Sequence, residues 1–239
     1  MAQTKKTVLF CLIISLCLTS LAFAEKTRPL QFSIWSPVQL VNDQNSIAGL
    51  RLNLLYTDNL DASGITLSGG WARTSRQMNG ISLSPVNWSE GPSYGFNAGI
   101  LNYGGSRSVG LDIGVVNIAK GNATGAQLGV TNWSFGYFHG AQIGIVNYTA
   151  ENFVGLDLGA VNITRGDFSG FESGIVNYVG GTASGFQLGL VNYAKNMSGL
   201  QLGFFNGTDS LIKGIQVGGS NYNGNEDPML WMIFLNWSF

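Results

Sequence analysis

Charge is what this chain has least of. Only 10% of its 239 residues are Asp, Glu, Lys or Arg, against about a quarter in ordinary soluble domains. The 12 basic and 13 acidic residues nearly cancel, which is no nucleic-acid footprint. Histidine is reduced to His139, in a turn segment. With nothing to orient it, a Ser-His-Asp relay is excluded and His139 reads as a solvated residue. Cysteine is confined to Cys11 and Cys17, in a segment expected to be removed. That excludes a disulfide framework and a cysteine-ligated metal site. No Gly-Lys-Ser/Thr follows a glycine run, so a phosphate-cradling loop is excluded. No catalytic, cofactor-binding or metal-binding residue is expected, and the chain does not read as an enzyme.

The two ends carry signals. Lys5 and Lys6 precede an apolar run from Val8 to Leu18, and Ala22-Phe23-Ala24 fits a small-x-small cleavage site. Residues 1–24 read as a secretory signal peptide, too short in its apolar run to be a comfortable membrane span. A single β domain over 25–239 would remain, with formal charge moved from −1 to −3 by loss of Lys5 and Lys6. At the other end Trp231, Ile233, Leu235, Trp237 and Phe239 alternate up to the terminus. A terminal aromatic on such a strand fits the assembly signal of outer-membrane barrels, with Trp237 and Phe239 carrying it.

Glycine is abundant, 34 residues, and it is periodic. It falls at 49, 64, 80, 95, 110, 125, 140, 155, 170, 185, 199 and 214. Asn follows seven places later, as at 117, 132, 147, 162, 177 and 192, and a second Gly comes at the fifth place, as at 129, 144, 159, 174 and 189. The columns alternate. Leu156, Leu158 and Ala160, or Leu200, Leu202 and Phe204, make one set. The interleaved set is polar or small, with Asp112, Gln127, Gln142, Asp157, Glu172, Gln187, Gln201 and Gln216. Period-two alternation marks a strand with one apolar and one polar face. Segments such as Ala119-Lys-Gly-Asn122 and Thr164-Arg-Gly-Asp167 supply turn chemistry. Each unit therefore reads as one strand of about eleven residues and one tight connection.

Two architectures fit such units. In an antiparallel up-and-down barrel each unit is a strand and a hairpin loop. A first strand at 31–40, repeats over 49–228 and a terminal strand at 229–239 then give about fourteen strands, an even number. About eleven residues, tilted, cover the height of an outer-membrane apolar band. Such a barrel is too wide for Leu, Ile and Val to fill, so the apolar columns face lipid and the Asp112-to-Gln216 column lines a lumen. The acidic members read as lumen or surface polarity rather than a carboxylate pair. In a β-solenoid each unit is a 15-residue coil, the apolar column stacks inward, and Asn forms a ladder at a bend. The single obvious turn per unit favours the barrel. The shallow apolar band and the uniformly short loops speak for the solenoid or a packed soluble β-protein. In the barrel, aromatics after Asn and before Gly face each other across strands, and Gln lies over the second Gly.

The Gly-Leu-Gln-Leu-Gly-x-x-Asn units, Ser33-Ile-Trp-Ser-Pro-Val-Gln-Leu40, Gly49-Leu-Arg-Leu-Asn-Leu-Leu-Tyr56 and Leu235-Asn-Trp-Ser-Phe239 resemble a family of exported bacterial surface-repeat proteins. The resemblance covers almost the whole mature chain. It implies an envelope or surface location and no catalytic activity, and it brings no site residues. Two functions follow as expectations. One is an outer-membrane structural barrel, pore-like with its polar lumen, whose partners are outer-membrane lipid and the barrel assembly machinery. The other is a secreted or surface-exposed β-solenoid acting as an adhesin or spacer.

Overall fold

The computed structural model describes residues 27–226 and 229–238. The leader segment 1–24 and Phe239 lie outside the described residues. The chain winds into a parallel β-solenoid of about eleven turns, one repeat to a turn. This corrects the barrel and supports the solenoid reading. Gly125, Gly140, Gly155 and Gly170 lie side by side in parallel register. Asn117, Asn132, Asn147 and Asn162 do the same. An antiparallel meander would set equivalent positions at opposite ends of neighbouring strands.

Each turn holds two strands, not one of eleven residues. Phe138–Ile143 and Val146–Thr149 are representative. A bend at Gly144-Ile145 separates them, and a turn over 150–152 leads to the next coil. This bend needs glycine. A Cβ on Gly144 would lie 2.8 Å from Asn132 Nδ2 and 2.9 Å from Asn147 Oδ1, so only a bare backbone can fold over the stacked amides. Where the bends are smooth, extended backbone runs unbroken, as over Ser46–Ser68 and Val176–Asn223. The first coil begins with Thr27–Trp35, parallel to the next, and a short return at Val38–Gln39. At the far end Trp231–Ser238 runs antiparallel to Gly214–Tyr222 and closes the stack.

The solenoid is polar inside and apolar outside, the reverse of the apolar-in solenoid expected from sequence. Gln142, Asn147, Thr149, Asp157, Asn162 and Glu172 are fully buried, while Leu54, Ile145, Leu190 and Phe204 are exposed. The interior is one side chain thick. Thr149 on one strand donates directly to Gln142 Oε1 on the facing strand, at 3.2 Å. Polar filling is stable here because in-register stacking lets each amide bond its own copy in the next coil. Asn117 Nδ2 donates to Asn132 Oδ1, Asn132 to Asn147 and Asn147 to Asn162, at 2.8, 2.8 and 3.0 Å. The same Nδ2 atoms also reach the carbonyls of Leu128, Ile143 and Leu158 just before the bend. The ladder thus ties the two strands of a coil together as well as one coil to the next.

The aromatics after Asn and those before Gly do not face each other; they divide into an outer and an inner column, each stacking on its own copies in adjacent coils. Phe138, Phe153 and Phe168 stack in the interior with centroids 5.1 and 5.5 Å apart. Trp88 and Tyr103 stack on the outer surface at 3.8 Å.

Truncating one rung tests the ladder. Asn147→Ala removes the donor to Asn162 Oδ1, Leu158 O and Asp157 Oδ1. Leaving buried acceptors unpaired should cost about 2 kcal/mol, read as a lower denaturation midpoint at unchanged slope.

Candidate functional site

Among the described residues there is no lumen for the predicted lining residues. Gln127, Gln142, Asp157, Glu172, Gln187, Gln201 and Gln216 are buried between the two strand layers, and Asp112 is part-buried in the same column. The register stacks Asp112, Gln127, Gln142, Asp157, Glu172 and Gln187 directly. Gln does not lie over the second Gly; it bonds its own column. Gln142 Nε2 donates to Gln127 Oε1 at 2.8 Å, Gln187 to Glu172 Oε2 at 2.7 Å, Gln201 to Gln187 at 2.7 Å and Gln216 to Gln201 at 2.8 Å. These donors point toward the preceding coil, whereas the Asn donors point toward the following one.

Acidic residues interrupt the Gln ladder. Asp157 and Glu172 are register neighbours, so the structure does bring two carboxyls together. Burial pushes Asp157 well above the usual carboxylate range, the neighbouring Glu172 charge adds to this, and the Asn147 amide opposes it. Burial raises Glu172 to about 7, against the hydrogen bond from Gln187. Glu172 Oε1 has no protein partner. Asp112 is raised to about 6 by burial, although Asn97 Nδ2 donates to it at 2.7 Å.

Asp112 is one methylene shorter than Gln, and Gln127 Nε2, which should donate to it, has no protein partner. Asp112→Gln extends the ladder by one rung. It should raise stability at neutral pH by about 1 kcal/mol, seen as a higher melting temperature.

The remaining interior offers little room. A cavity of about 10 Å³ touches Ser82, Ser93, Asn97, Ser108 and Asp112, where serine replaces the stacked Phe column. That is space for about one water. Arg51, an early member of the Gln column, is buried, and burial lowers it to about 10. Its Nε donates to Thr66 Oγ1 and one Nη to the Arg73 carbonyl. His139 is exposed beside Arg107, Asn122 and Tyr137 in a shallow hollow on the turn edge. Among the described residues no group of three or more His, Cys, Asp or Glu could hold a metal, and no helix is long and apolar enough to cross a membrane.

The outer surface is the chemically organised part. The bend forms an apolar edge, with Ile100, Ile145, Leu190 and Phe204 each more than half exposed. Apolar columns continue from it onto both strand layers, through Leu67, Ile113, Ile143 and Leu188 on one and Val191 and Phe205 on the other. Beyond these, on the short-strand layer, an aromatic column holds Trp88, Tyr103, Trp133, Tyr148, Tyr178 and Tyr193. In the first coils Asp58 and Arg73 occupy that column. The opposite edge, made by the turns, carries charge: Glu90, Arg107, Lys120, Glu151, Arg165, Asp167, Lys195 and Asp209. Ion pairs link Arg73 to Asp58 and Glu90, and Arg76 to Asp61. Turn side chains also form a ladder, as Asn152 Oδ1 accepts from Asp167 N and Asp167 Oδ1 from Thr182 N, both at 2.8 Å.

Of the two assembly-signal residues, Trp237 sits opposite Ile215 in the closing strand, and Phe239 lies outside the described residues. Sequence reasoning did not separate the interior Phe column from the outer aromatic one. The pattern held a signal for it: Phe138, Phe153 and Phe168 stand two places before the glycine, on the Gln side of the alternation.

No protein family matches the chain, and no curated protein or solved structure is significantly similar to it.

Proposed function

We infer that this is an exported envelope protein, a rigid rod at the bacterial surface that works as a spacer or adhesive scaffold. The observation that carries this reading is the repetition of the outer surface. About eleven turns at ~4.8 Å each give a rod of about 50 Å that presents similar apolar and aromatic side chains at most steps. A rod of that kind suits extended, many-point contact. Laddered amides inside make it stiff, so its length holds under load. The leader-like first 24 residues and the resemblance to surface-repeat proteins support export. The pore-like reading loses its basis with the barrel, and so does dependence on barrel assembly machinery.

Expression of the full chain in a Gram-negative host, followed by fractionation and protease treatment of intact cells, tests the reading. The mature chain should begin near Glu25, sit in the envelope fraction and react with antibody on unbroken cells. Recovery in the cytoplasm with residues 1–24 intact would contradict it.

A further inference from the structure

Three features of the outer surface coincide. First, charge is segregated. Over all the coils from Gly49 to Asn221 taken together, the seven places after each repeat glycine contain four charged residues in total, Arg51, Asp112, Asp157 and Glu172. All four belong to the inward Gln column. The outward places of this half carry no charge over the whole rod. Second, the uncharged half is apolar on three sides, both strand layers and the bend edge. A second copy of the chain would cover one flat layer and leave the edge bare; a fluid hydrocarbon covers all three. Third, the aromatic column runs along the boundary between the apolar half and the charged turn edge. Tyr and Trp collect at that position in membrane proteins, where ring meets hydrocarbon and polar tip meets water.

The depth also fits. From the repeat glycine to the bend, five residues at ~3.3 Å span about 16 Å, close to one leaflet, half of a ~30 Å hydrocarbon core. The rod of about 50 Å is too long to stand across the bilayer core. It lies flat.

We propose that the solenoid is a monotopic membrane protein, its bend edge and adjoining apolar columns sunk into one lipid leaflet and its turn edge in water. The occupant of the apolar half is lipid acyl chain. This adds a lipid-facing side to the envelope reading. Failure of the vesicle experiment would remove that side alone, whereas failure of fractionation would remove the location.

The test uses the mature chain, which has no cysteine, with single spin labels at Ile145→Cys, Leu190→Cys and Lys120→Cys. Each protein is reconstituted into phosphatidylethanolamine–phosphatidylglycerol vesicles and floated. The protein should float with the vesicles. Labels at 145 and 190 should relax more with oxygen than with a water-soluble nickel chelate, and the label at 120 should show the reverse. Ile145→Lys with Ile175→Lys should lower the floated fraction at least tenfold, while Ser169→Lys, on the turn side, should leave it unchanged. Nickel access at 145 and 190 in floated protein would overturn the proposal. So would unlipidated protein that sediments as a dimer with its bend labels shielded, because a second copy would then be the occupant. Flotation unaffected by the double lysine change would overturn it as well. Should the lysine variants fail to fold, the relaxation ratios decide alone.

Discussion

Gly155→Ala should abolish the native fold or cost on the order of 5 kcal/mol, a larger effect than any change to an outward side chain. The reason is directional. All twelve repeat glycines, from Gly49 to Gly214, have φ between 108° and 156°. At such φ a Cβ points along the stack and not toward either face of the layer. On Gly155 it would stand 1.9 Å from the Gly140 carbonyl oxygen and 2.9 Å from its carbon. That neighbour is backbone held in the parallel ladder, so it cannot give way without breaking pairing on both sides. Strain and overlap therefore add. Gly207→Ala is the control: its Cβ would meet Tyr193 Cδ2 at 3.3 Å, and the cost should stay within about 1 kcal/mol. Circular dichroism and denaturant midpoints of the two variants read the difference.

The second large effect concerns the buried carboxyls. Asp157 and Glu172 both have folded pKa values raised above their unfolded ones, Glu172 from 4.5 to about 7. The native state therefore binds these protons more tightly than the unfolded chain does. Below about pH 3 both states are protonated and the groups cost nothing. As pH rises from there to about 7 the unfolded state is relieved of its protons first, and stability falls. For Glu172 the loss is on the order of 3 kcal/mol, and Asp157 adds to it. The protein should thus be more stable at pH 5 than at pH 7.5 with respect to this pair. Glu172→Gln continues the Gln ladder and should recover up to about 3 kcal/mol at pH 7.5 while changing little at pH 4. Asp157→Asn should act in the same direction. The double variant should gain less than the sum, because the repulsion between the two is removed only once. Guanidinium titrations at the three pH values check this; a wild type more stable at pH 7.5 than at pH 5 would contradict the burial of the pair.

The repeat, the turn and the parity of the columns are legible in the sequence because each is a property of one unit. Leu200 and Leu202 do point out, and Gln201 does point in. What a single unit conceals is the second bend. Leu188-Gly-Leu-Val-Asn192 holds the clue: Leu190 and Val191 are adjacent apolar residues, so the alternation skips a step. Val115-Val116, Ile145-Val146, Ile175-Val176 and Phe204-Phe205 repeat it at the same place. A skipped step in a strand pattern is a corner, because two consecutive side chains face outward only where the chain turns. One strand with one turn allows antiparallel pairing; two strands with two corners close a coil and force parallel stacking.

A closely packed polar interior is less legible in the sequence than the parity of the columns. Burying Gln and Asn is costly for an isolated strand, and the cost vanishes only when identical residues stack at one spacing. That compensation lies between units, fifteen residues apart, as in Gln142 on Gln127 or Asn132 on Asn147. The carboxyls show the limit of the device. A carboxylate can accept from an amide rung but cannot donate to the next, so Asp157 and Glu172 break the chain of donors that Gln187, Gln201 and Gln216 continue.

The parallel, in-register winding is the claim on which the rest depends, and paired spin labels test it most directly. Leu156→Cys with Phe171→Cys places labels on register neighbours of adjacent coils, both facing outward. Their spectrum should show strong dipolar broadening, from side chains about 5 Å apart at the backbone. Ala141→Cys with Leu156→Cys, one coil earlier, should give the same spectrum. Narrow, uncoupled lines in both pairs would mean that equivalent positions lie at opposite ends of neighbouring strands, and would contradict the solenoid.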